Sequence, residues 1–396
     1  MSSYPPAAPP QKTTLRQRLA DLRGPAVPPR PLDARSLAAL AANPGCGRRA
    51  LLDGAGVDKG ALAAALGSPA AFGQSQFAIV RGNSFEAKVK GDGGAELLRL
   101  AHTLTGGAAE PPGPDARVPD LTAAGPEGRA ARTALALREA TAAGAWTLLD
   151  HPMLALEVAG TPVYLEPDAV VVDPGGRWTV VEIKSFPMID GAADSAKVGA
   201  AARQAAVYVI ALERTAGKVP GAEVGHRVLL VCPKDFSNLP TASPVDVRRE
   251  RAVTLRQMER LTRVEELAAD LPAGLSFDPA RPAGELTEAV SAVGAAYAPE
   301  CLAACELAFH CRERSRAAGD PAALGRSVRG ELGGLTTVDA ALAAASSPDP
   351  AEGASGEGDD PTAAALRRAA RLRAEALELA AARPPHPAPE GPACPC

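Results

Sequence analysis

The sequence lacks a hydrophobic run that could cross a bilayer. No stretch of roughly 18 consecutive apolar residues, the length a membrane helix needs, occurs in the chain. The Pro-rich start, residues 1–33, also has no continuous apolar core of the kind that a secretory signal requires. We therefore expect a soluble, cytoplasmic protein with no membrane partner.

Four further features are absent: an internal repeat, a P-loop, an overall basic charge and a disulfide framework. There is neither an internal repeat nor a P-loop pattern, so nothing indicates a repeat array or a built-in ATP motor. The formal net charge is -4, so any surface that binds nucleic acid has to be a local basic patch. Seven cysteines, an odd and unevenly spaced set in a chain of 396 residues, make a poor disulfide framework.

Composition predicts one folded domain between two irregular ends. Apolar residues make up 46% of the chain, which is enough for a sizeable core. The 38 glycines and 38 prolines concentrate, together with alanine, near both ends and between about 106 and 128. We predict a disordered N-terminal segment at 1–33, a folded domain at 34–345, and a linker, a lone helix and a Pro-rich tail at 346–396.

Apolar residues recur along the chain first with helical spacing, then with strand spacing, and then with each again, and this order predicts an α/β fold. Ala-rich segments after residue 33 have helical character, and "QFAIV" at 76–80 resembles a short extended segment ahead of another helix. From 147 the pattern becomes that of antiparallel strands. A helix, "AKVGAAARQAAVYVIALERTAG", and an apolar strand, "HRVLLVCP", follow, and residues 244–270 are predicted to be helical.

One predicted hairpin carries charged residues in strands of β-branched type. With a turn at 174–176 closed by Asp173 and Arg177, Asp168 is placed opposite Glu182. Directly opposed residues have Cβ atoms about 4.5–5.5 Å apart, so the two carboxylates would repel unless a cation lay between them. The hairpin therefore predicts a divalent metal site.

Alternation along the strand predicts one apolar face and one face that carries the site. Glu182 and Lys184 share the face of Asp168, whereas Val181 and Ile183 point the other way. Carboxylate oxygens suit Mg²⁺ or Mn²⁺, which clamp phosphates and lower the pKa of a bound water, while a lysine orients that water or neutralises charge at phosphorus. Hydrolysis of a phosphodiester is the implied reaction. Ordinary charges on a solvated strand face are the alternative.

Pro167-Asp168 followed by Glu182-Ile183-Lys184 resembles the PD-(D/E)xK nuclease superfamily, and Q-x-x-x-Y on the next helix resembles its RecB-like branch. The resemblance covers residues 40 to 345 and implies a restriction-endonuclease-like core, a mixed sheet flanked by helices. It implies that the catalytic residues are Asp168, Glu182, Lys184, Gln204 and Tyr208, and that Asp168, Glu182 and Ile183 hold the metal.

The same resemblance assigns roles to two more residues. Where the RecB-like branch has G-x-x-x-H, this chain has "GNSFE", so the ligand role passes from histidine to Glu86, since glutamate also binds hard divalent cations. Without an imidazole ligand, a preference for Mn²⁺ is less assured. Lys197 lies one heptad before Gln204 on the same helix face and is predicted to contact nucleic acid.

The clustered cysteines suggest a second metal site. Cys301, Cys305 and Cys311 lie within eleven residues, with the first two predicted on one helical face, and Cys46 precedes the nuclease core. The set resembles that of iron-sulfur nucleases, the CRISPR-associated exonucleases and the AddB nuclease domain, which have C-x2-C-x5-C where this chain has C-x3-C-x5-C. The resemblance implies a structural [4Fe-4S] cluster in a helical cap. Zn²⁺ in a Cys₄ site and unligated buried cysteines are the alternatives, and Cys232 is predicted to be core.

An arginine-rich segment follows the cysteines. Arg312, Arg314 and Arg316 form a candidate patch for phosphate contacts, although solvated helix charges are the default interpretation of such a run. No role is assigned to the cysteines at 394 and 396.

Together these patterns predict a Mg²⁺- or Mn²⁺-dependent DNA nuclease that acts on single strands or ends, with a structural [4Fe-4S] cluster. As the resemblance implies, it would serve DNA repair, recombination or defence and could work with a helicase or defence-complex partner in trans. Two other hypotheses stay open. One is a catalytically silent, nucleic-acid-binding iron-sulfur subunit of a larger complex. The other is an iron-sulfur redox protein, which only the cysteines support.

Overall fold

The computed structural model describes residues 15–69, 76–104, 111–113, 116–159, 161–261, 264–348 and 360–381. None of the helices in these ranges has the length and apolarity that spanning a membrane requires. The chain divides into two compact units, residues 1–311 and 312–396, which we describe separately. This division does not coincide with the boundary predicted near residue 345.

Helices form the first half of the larger unit: α1 Leu15–Arg23, α2 Ala34–Ala42, α3 Gly47–Gly54, α4 Lys59–Ala65, α5 Gln76–Lys90, α6 Ala95–Leu104 and α7 Gly125–Ala143. The side chains of Asp33, Cys46 and Asp58 cap α2, α3 and α4, each accepting a hydrogen bond from the backbone N–H three residues further on. The predicted extended segment at 76–80 is wrong, because α5 already includes it. A short apolar run does not by itself distinguish a strand from a buried helix.

Helix α1 lies inside the segment predicted to be disordered, so that prediction is wrong for Leu15–Arg23, and residues 1–14 lie outside the described residues. Leu22 is fully buried in a cluster with Leu51 and Phe277, and its carbonyl accepts a 2.6 Å hydrogen bond from the Phe277 N–H. The Arg18 guanidinium donates to the Leu271 carbonyl over 3.0 Å. Proline content suggested disorder, but burial against a distant part of the chain offsets the entropy of ordering this helix.

A mixed sheet is the centre of the larger unit. The strands and the crossing helix are β1 Thr147–Asp150, β2 Leu154–Val158, β3 Thr161–Leu165, β4 Ala169–Val172, β5 Arg177–Ile183, α8 Ser195–Ala216, β6 Glu223–Val224, β7 Arg227–Pro233 and β8 Pro240–Asp246. The strand order is β1-β4-β5-β7-β8, with β6 also paired to β5, while β2 and β3 form a separate hairpin. Only β5 with β6 and β5 with β7 are parallel among the named pairs. The predicted α/β class, a mixed sheet flanked by helices, is confirmed.

The larger unit continues with α9 Arg248–Leu261, α10 Val264–Ala269, α11 Ala283–Ser291, a 3-10 turn at Pro299–Ala303 and α12 Ala308–Ala317, which crosses into the second unit. The predicted helix at 244–270 is therefore wrong at its start, where Pro244, Val245 and Asp246 belong to β8 and pair with β7. Pairing with the buried β7 edge decides the conformation there, and local propensity does not predict it.

Both faces of the sheet are covered. Val170, Val172 and Val180 pack on one face with apolar residues of α2, α7 and α8, and Val181 and Ile183 pack on the other with residues of α5 and α6. This corrects the expectation that one whole face of β5 carries the site. Glu182 lies near the C-terminal end of β5, where strand alternation places it on the face covered by α8, and Lys184 follows directly after the strand.

The second unit contains the end of α12, a 3-10 turn at Pro321–Leu324, α13 Arg326–Glu331, α14 Val338–Ser346 and α15 Pro361–Ala381. Helices α14 and α15 pack against each other, so the helix predicted to be alone in the tail has a partner.

Trp178 provides a test of the sheet core. Its ring is fully buried and its indole N–H donates to Thr141 Oγ1 over 2.9 Å. We expect Trp178→Ala to lower the free energy of unfolding by about 3–5 kcal/mol in denaturant titrations, because a large cavity replaces the ring. Leu135→Ala, at a position 41% exposed, should change it little. Equal effects of the two substitutions would contradict this packing.

Candidate functional site

The β4–β5 hairpin has the register that the sequence predicted. Ala169 pairs with Val181 and Val172 with Trp178, so Asp168, immediately before β4, lies across from Glu182 at the end of β5. The turn is closed by a 3.0 Å hydrogen bond from the Asp173 N–H to the Arg177 carbonyl. A side chain at Gly176 is excluded, since φ is +79° and a Cβ would lie 2.5 Å from the Gly221 carbonyl oxygen.

Asp168, Glu182 and Lys184 meet at the end of this hairpin. The Lys184 Nζ lies 2.5 Å from Glu182 Oε1 and 3.8 Å from Asp168 Oδ2. Asp168 is held by the backbone of β5, because its Oδ2 accepts a 2.6 Å hydrogen bond from the Ile183 N–H. The sequence-predicted carboxylates and lysine are therefore together, with Ile183 between them in the chain.

Glu182 is an unusual carboxylate. It is only 1% exposed, and despite the nearby ammonium neither of its oxygens has a hydrogen bond of good geometry. Burial raises the pKa of Glu182 to about 7, against the opposing effect of Lys184. A carboxylate buried this deeply, with one ammonium as its close neighbour, is costly to ionise, so it contributes little to the stability of the fold and could accept a cation.

Lys184 remains a cation in this environment. Burial favours its neutral form, but the charges of Glu182 and Asp168 outweigh burial and raise the pKa of Lys184. The site thus keeps one ammonium beside two carboxylates.

Gln204 and Tyr208 of α8 lie over the same strand end. The Gln204 amide donates to the Tyr208 hydroxyl over 2.9 Å, as expected for residues four apart on one helix face. Burial raises the pKa of Tyr208, and the negative charges of Glu182 and Asp168 raise it further. The phenol therefore stays protonated and can donate a hydrogen bond.

Glu86, on α5, is engaged in a polar cluster beside Asp168. Its Oε1 lies 2.6 Å from Lys90 Nζ and 3.0 Å from His151 Nε2, and the hydrogen bond from His151 is the main reason that the pKa of Glu86 falls to about 2. The same contact raises the pKa of His151. Glu86 stays a predicted metal ligand, now with two basic neighbours.

Lys90 and His151 are residues that sequence reasoning missed. Lys90 ties the cluster to the hairpin, since its Nζ donates to the Asp168 carbonyl over 2.8 Å and lies 2.6 Å from Asp150 Oδ1. The spacing of Lys90 four residues after Glu86 could have indicated their pairing. Nothing local indicates His151, because it reaches Asp168 only through the pairing of β1 with β4.

The carboxylates fit a hard divalent cation as partial ligands. Within the described ranges, no three His, Cys, Asp or Glu side chains are arranged so that they could hold a metal ion. Mg²⁺ often uses only one or two protein carboxylates and completes its shell with water and substrate phosphate. Asp168 and the orphaned oxygens of Glu182 match that requirement.

The four predicted cluster ligands come from two distant parts of the chain. Cys46 caps α3, Cys301 lies in the 3-10 turn at 299–303, and Cys311 lies on α12. The prediction that Cys301 and Cys305 share an α-helical face is only partly right, since the turn at Cys301 is of 3-10 type, although the Cys305 N–H donates to the Cys301 carbonyl over 2.8 Å. The side chains lie close enough for Cys46 to raise the pKa values of Cys301 and Cys311, after the larger effect of burial.

Polar donors surround these sulfur atoms. Asn43 Nδ2 donates to Cys301 Sγ over 3.2 Å, and Arg48 Nη1 donates to Cys311 Sγ over 3.1 Å. Burial raises the pKa of Cys305 to about 11, which Arg49 opposes through its charge and a hydrogen bond. Hydrogen bonds of this kind stabilise negative charge on sulfur. Within the described ranges, however, the four cysteine side chains are not arranged so that three of them could hold one metal ion.

A buried ion network fixes α3 against the cysteine segment. The Arg49 guanidinium lies 2.5 Å from Asp53 Oδ2 and 2.9 Å from Glu306 Oε2, and Lys59 Nζ lies 2.7 Å from Asp53 Oδ1. The Arg49 and Asp53 side chains are 4% and 0% exposed. Removing one partner of a buried ion pair strongly destabilises the fold. The intact network therefore fixes α3, which begins after Cys46, against the segment that contains Cys305.

The remaining predicted residues are not part of either cluster. Lys197 is exposed on α8, with its ammonium 5.9 Å from the centre of the Phe186 ring. Cys232 is fully buried in an apolar cluster, as predicted. Arg312 and Arg314 belong to the second unit, where Arg312 is half-buried and Arg314 exposed.

Comparisons with protein-family models, curated proteins and solved structures give no match.

The buried carboxylate makes cation binding measurable without any substrate. We expect Mg²⁺ or Mn²⁺ to raise the thermal stability of the protein, by about 2.7 kcal/mol at a hundred times the dissociation constant. Glu182→Gln should lose most of this gain, because the amide provides no charge to the cation. Glu96→Gln is the matched control, since Glu96 pairs with Arg99 on α6. An undiminished gain in Glu182→Gln, measured by calorimetry, would contradict the site.

Proposed function

We propose that the chain is a Mg²⁺- or Mn²⁺-dependent deoxyribonuclease with a restriction-endonuclease-like core, which hydrolyses phosphodiester bonds. The observation that carries the proposal is the buried, unsatisfied carboxylate of Glu182 beside Asp168 and Lys184. A structural role does not explain this group, because a neutral residue would fill the position at lower cost. The superfamily resemblance of Pro167-Asp168 and Glu182-Ile183-Lys184 supports the same assignment.

Asp168, Glu182 and the Ile183 main chain would hold the cation, with Glu86 as a further candidate. When bound, such a cation neutralises charge on the scissile phosphate and activates water for attack on phosphorus. In the net reaction water adds to phosphorus, one P–O ester bond breaks, and the leaving oxygen takes up a proton.

The side chains of this chain would do the positioning. The Lys184 ammonium, 2.5 Å from Glu182, can donate a hydrogen bond to the attacking water or to a phosphate oxygen and so stabilise the charge that develops in the transition state. The protonated Tyr208 and Gln204 would align the substrate backbone. Their mutual hydrogen bond fixes both side chains before substrate arrives.

We further propose that Cys46, Cys301, Cys305 and Cys311 hold a structural [4Fe-4S] cluster. The sulfur-directed donors Asn43, Arg48 and Arg49 support it, as does the electrostatic influence of Cys46 on Cys301 and Cys311. Such a centre would join α3 to the segment 301–311, two parts of the chain that are distant in sequence. Zn²⁺ is the alternative occupant, and metal analysis separates the two.

The resemblance supports the substrate class and the partner, and the cytoplasmic setting is the expectation drawn from the sequence. We propose action on single strands or ends of DNA in the cytoplasm, with a helicase or defence-complex partner in trans. A nucleic-acid-binding subunit without catalysis is the competing function, and metal-stimulated cleavage by the isolated chain distinguishes it.

Lys184 allows the nuclease to be tested directly. We expect Lys184→Ala to slow metal-dependent cleavage of labelled single-stranded DNA by about 10²-fold or more, because it removes a preorganised donor from the transition state. Lys218→Ala, which removes an exposed lysine elsewhere, should cut at the wild-type rate. Cleavage should cease in the presence of a chelator. A wild-type rate in Lys184→Ala would overturn the assignment of Lys184, and binding without cleavage by the wild type would favour the silent subunit.

Cys301 tests the second site independently. After anaerobic purification we expect about four iron and four sulfide per wild-type chain, the content of one [4Fe-4S] cluster. Cys301→Ser should lose most of both, since a ligand is removed. Cys232→Ala should retain them, because Cys232 is buried in an apolar cluster. Zinc without sulfide in the wild type would replace the cluster by a Cys₄ zinc site.

A further inference from the structure

A cleft of about 310 Å³ opens beside the hairpin site. It is bounded by α2, by α8 and by the segment between Cys301 and Cys305. Lys184 and Gln204 line it, so it is continuous with the proposed catalytic residues. Its volume is at the lower end of the roughly 300–1,000 Å³ typical of ligand sites, which suits a nucleotide-sized group and not a duplex.

The charge of the cleft has one sign. Arg35 from α2 and Lys197 and Arg203 from α8 line it together with Lys184, and no acidic side chain is among its lining residues. Arg35 and Lys197 are exposed and Arg203 is half-buried. This local arrangement contrasts with the formal net charge of -4 for the whole chain. It creates the local basic patch that a nucleic-acid surface requires in an acidic protein.

The rest of the lining is small or aromatic. Alanines of α2, α8 and the 301–305 segment form most of it, which leaves room for a chain to approach the helices closely. Phe186, half-buried at the rim beside Lys197, adds an aromatic surface. A groove that combines cations with an aromatic ring is the usual means of binding single strands without sequence preference.

We propose that this cleft binds the sugar-phosphate backbone of a single-stranded polynucleotide and leads it to Lys184, with Arg35 of α2 and Arg203 of α8 as phosphate contacts. The proposal deepens the nuclease function and rests on it for the direction of the strand. Ala303 and Ala304, which lie between two proposed cluster ligands, form one wall. The cysteine site therefore shapes the strand-binding cleft as well as the fold.

The test measures binding without cleavage. A fluorescent oligothymidylate of about 20 nucleotides, longer than the roughly 4–16 nucleotides that a single module covers, is titrated with the full chain in chelator, and anisotropy gives the dissociation constant at several salt concentrations. We expect Arg35→Ala/Arg203→Ala to weaken binding by about tenfold or more, since charge-assisted hydrogen bonds are lost. The slope of log affinity against log salt should fall by about 1.4, at roughly 0.7 for each single-strand phosphate contact. Arg138→Ala, an exposed arginine of α7 that does not line the cleft, is the control.

A second variant avoids dependence on arginine contacts that also support the fold. Ala303 is exposed, so Ala303→Asp should fold normally, which thermal melting verifies. Its carboxylate would stand in the proposed path of the phosphates, and we expect a weakening of single-strand binding by about tenfold with an unchanged iron content. Unchanged binding in both the double arginine variant and Ala303→Asp would overturn the proposal. The proposal would also be overturned if a duplex of the same sequence bound as tightly as the single strand and lost as much affinity in the double arginine variant, because a duplex does not fit the cleft.

The experiments distinguish an incorrect cleft proposal from an incorrect nuclease proposal. If the wild type binds single strands through Arg35 and Arg203 but never cleaves with Mg²⁺ or Mn²⁺, the proposed strand-binding cleft is supported and the proposed nuclease activity is overturned. If the wild type cleaves and the cleft variants bind and cleave as it does, the nuclease activity is supported and the strand-binding cleft is overturned.

Discussion

The antiparallel pairing of β4 with β5 is the constraint on which the rest of the site depends. It places Asp168 across from Glu182 and lets the Ile183 N–H hold the Asp168 carboxylate. Because strand side chains alternate, a slip of one residue would move Glu182 to the opposite face and exchange it for an apolar neighbour. Valines on both faces of the two strands resist such a slip, because the valines of one face are buried in one core cluster and those of the other face in another.

This register creates a local energetic conflict at the end of a stable sheet. Glu182 is buried beside another carboxylate, with one ammonium as its close neighbour. Surrounding apolar packing compensates for the unfavourable burial of this carboxylate. The polar cluster of Glu86, Lys90 and His151 reinforces the arrangement, because Lys90 binds the Asp168 carbonyl from the α5 side.

The cysteine segment and the hairpin site are connected through two helices. α3 carries Cys46, Arg48 and Arg49 against the segment 301–311, and α2 lines the cleft next to Lys184. The buried ion pairs of Asp53 with Arg49 and Lys59 fix α3 against α4. A displacement of the segment 301–311 would therefore also move one wall of the cleft.

Several features follow from local patterns. Alternation and the Gly-rich turn determine the hairpin register, helical spacing brings Gln204 next to Tyr208, and Asp33 and Asp58 cap the starts of α2 and α4. These depend on interactions within a few residues or across one turn, where steric and hydrogen-bond rules leave few alternatives. The strand β8 and the helix α1 were not predictable in this way, because each forms against a distant part of the chain.

The sequence by itself therefore determined which residues stand on one face of the hairpin and which cysteines are available as ligands. Only the tertiary structure decided that His151 and Lys90 join Glu86, that Arg48 and Arg49 reach Cys311 and Cys305, and that cations of α2 and α8 line one cleft. The physical reason is that such contacts depend on how elements far apart in sequence pack together. Burial and charge are then properties of the assembled environment, and no single segment carries them.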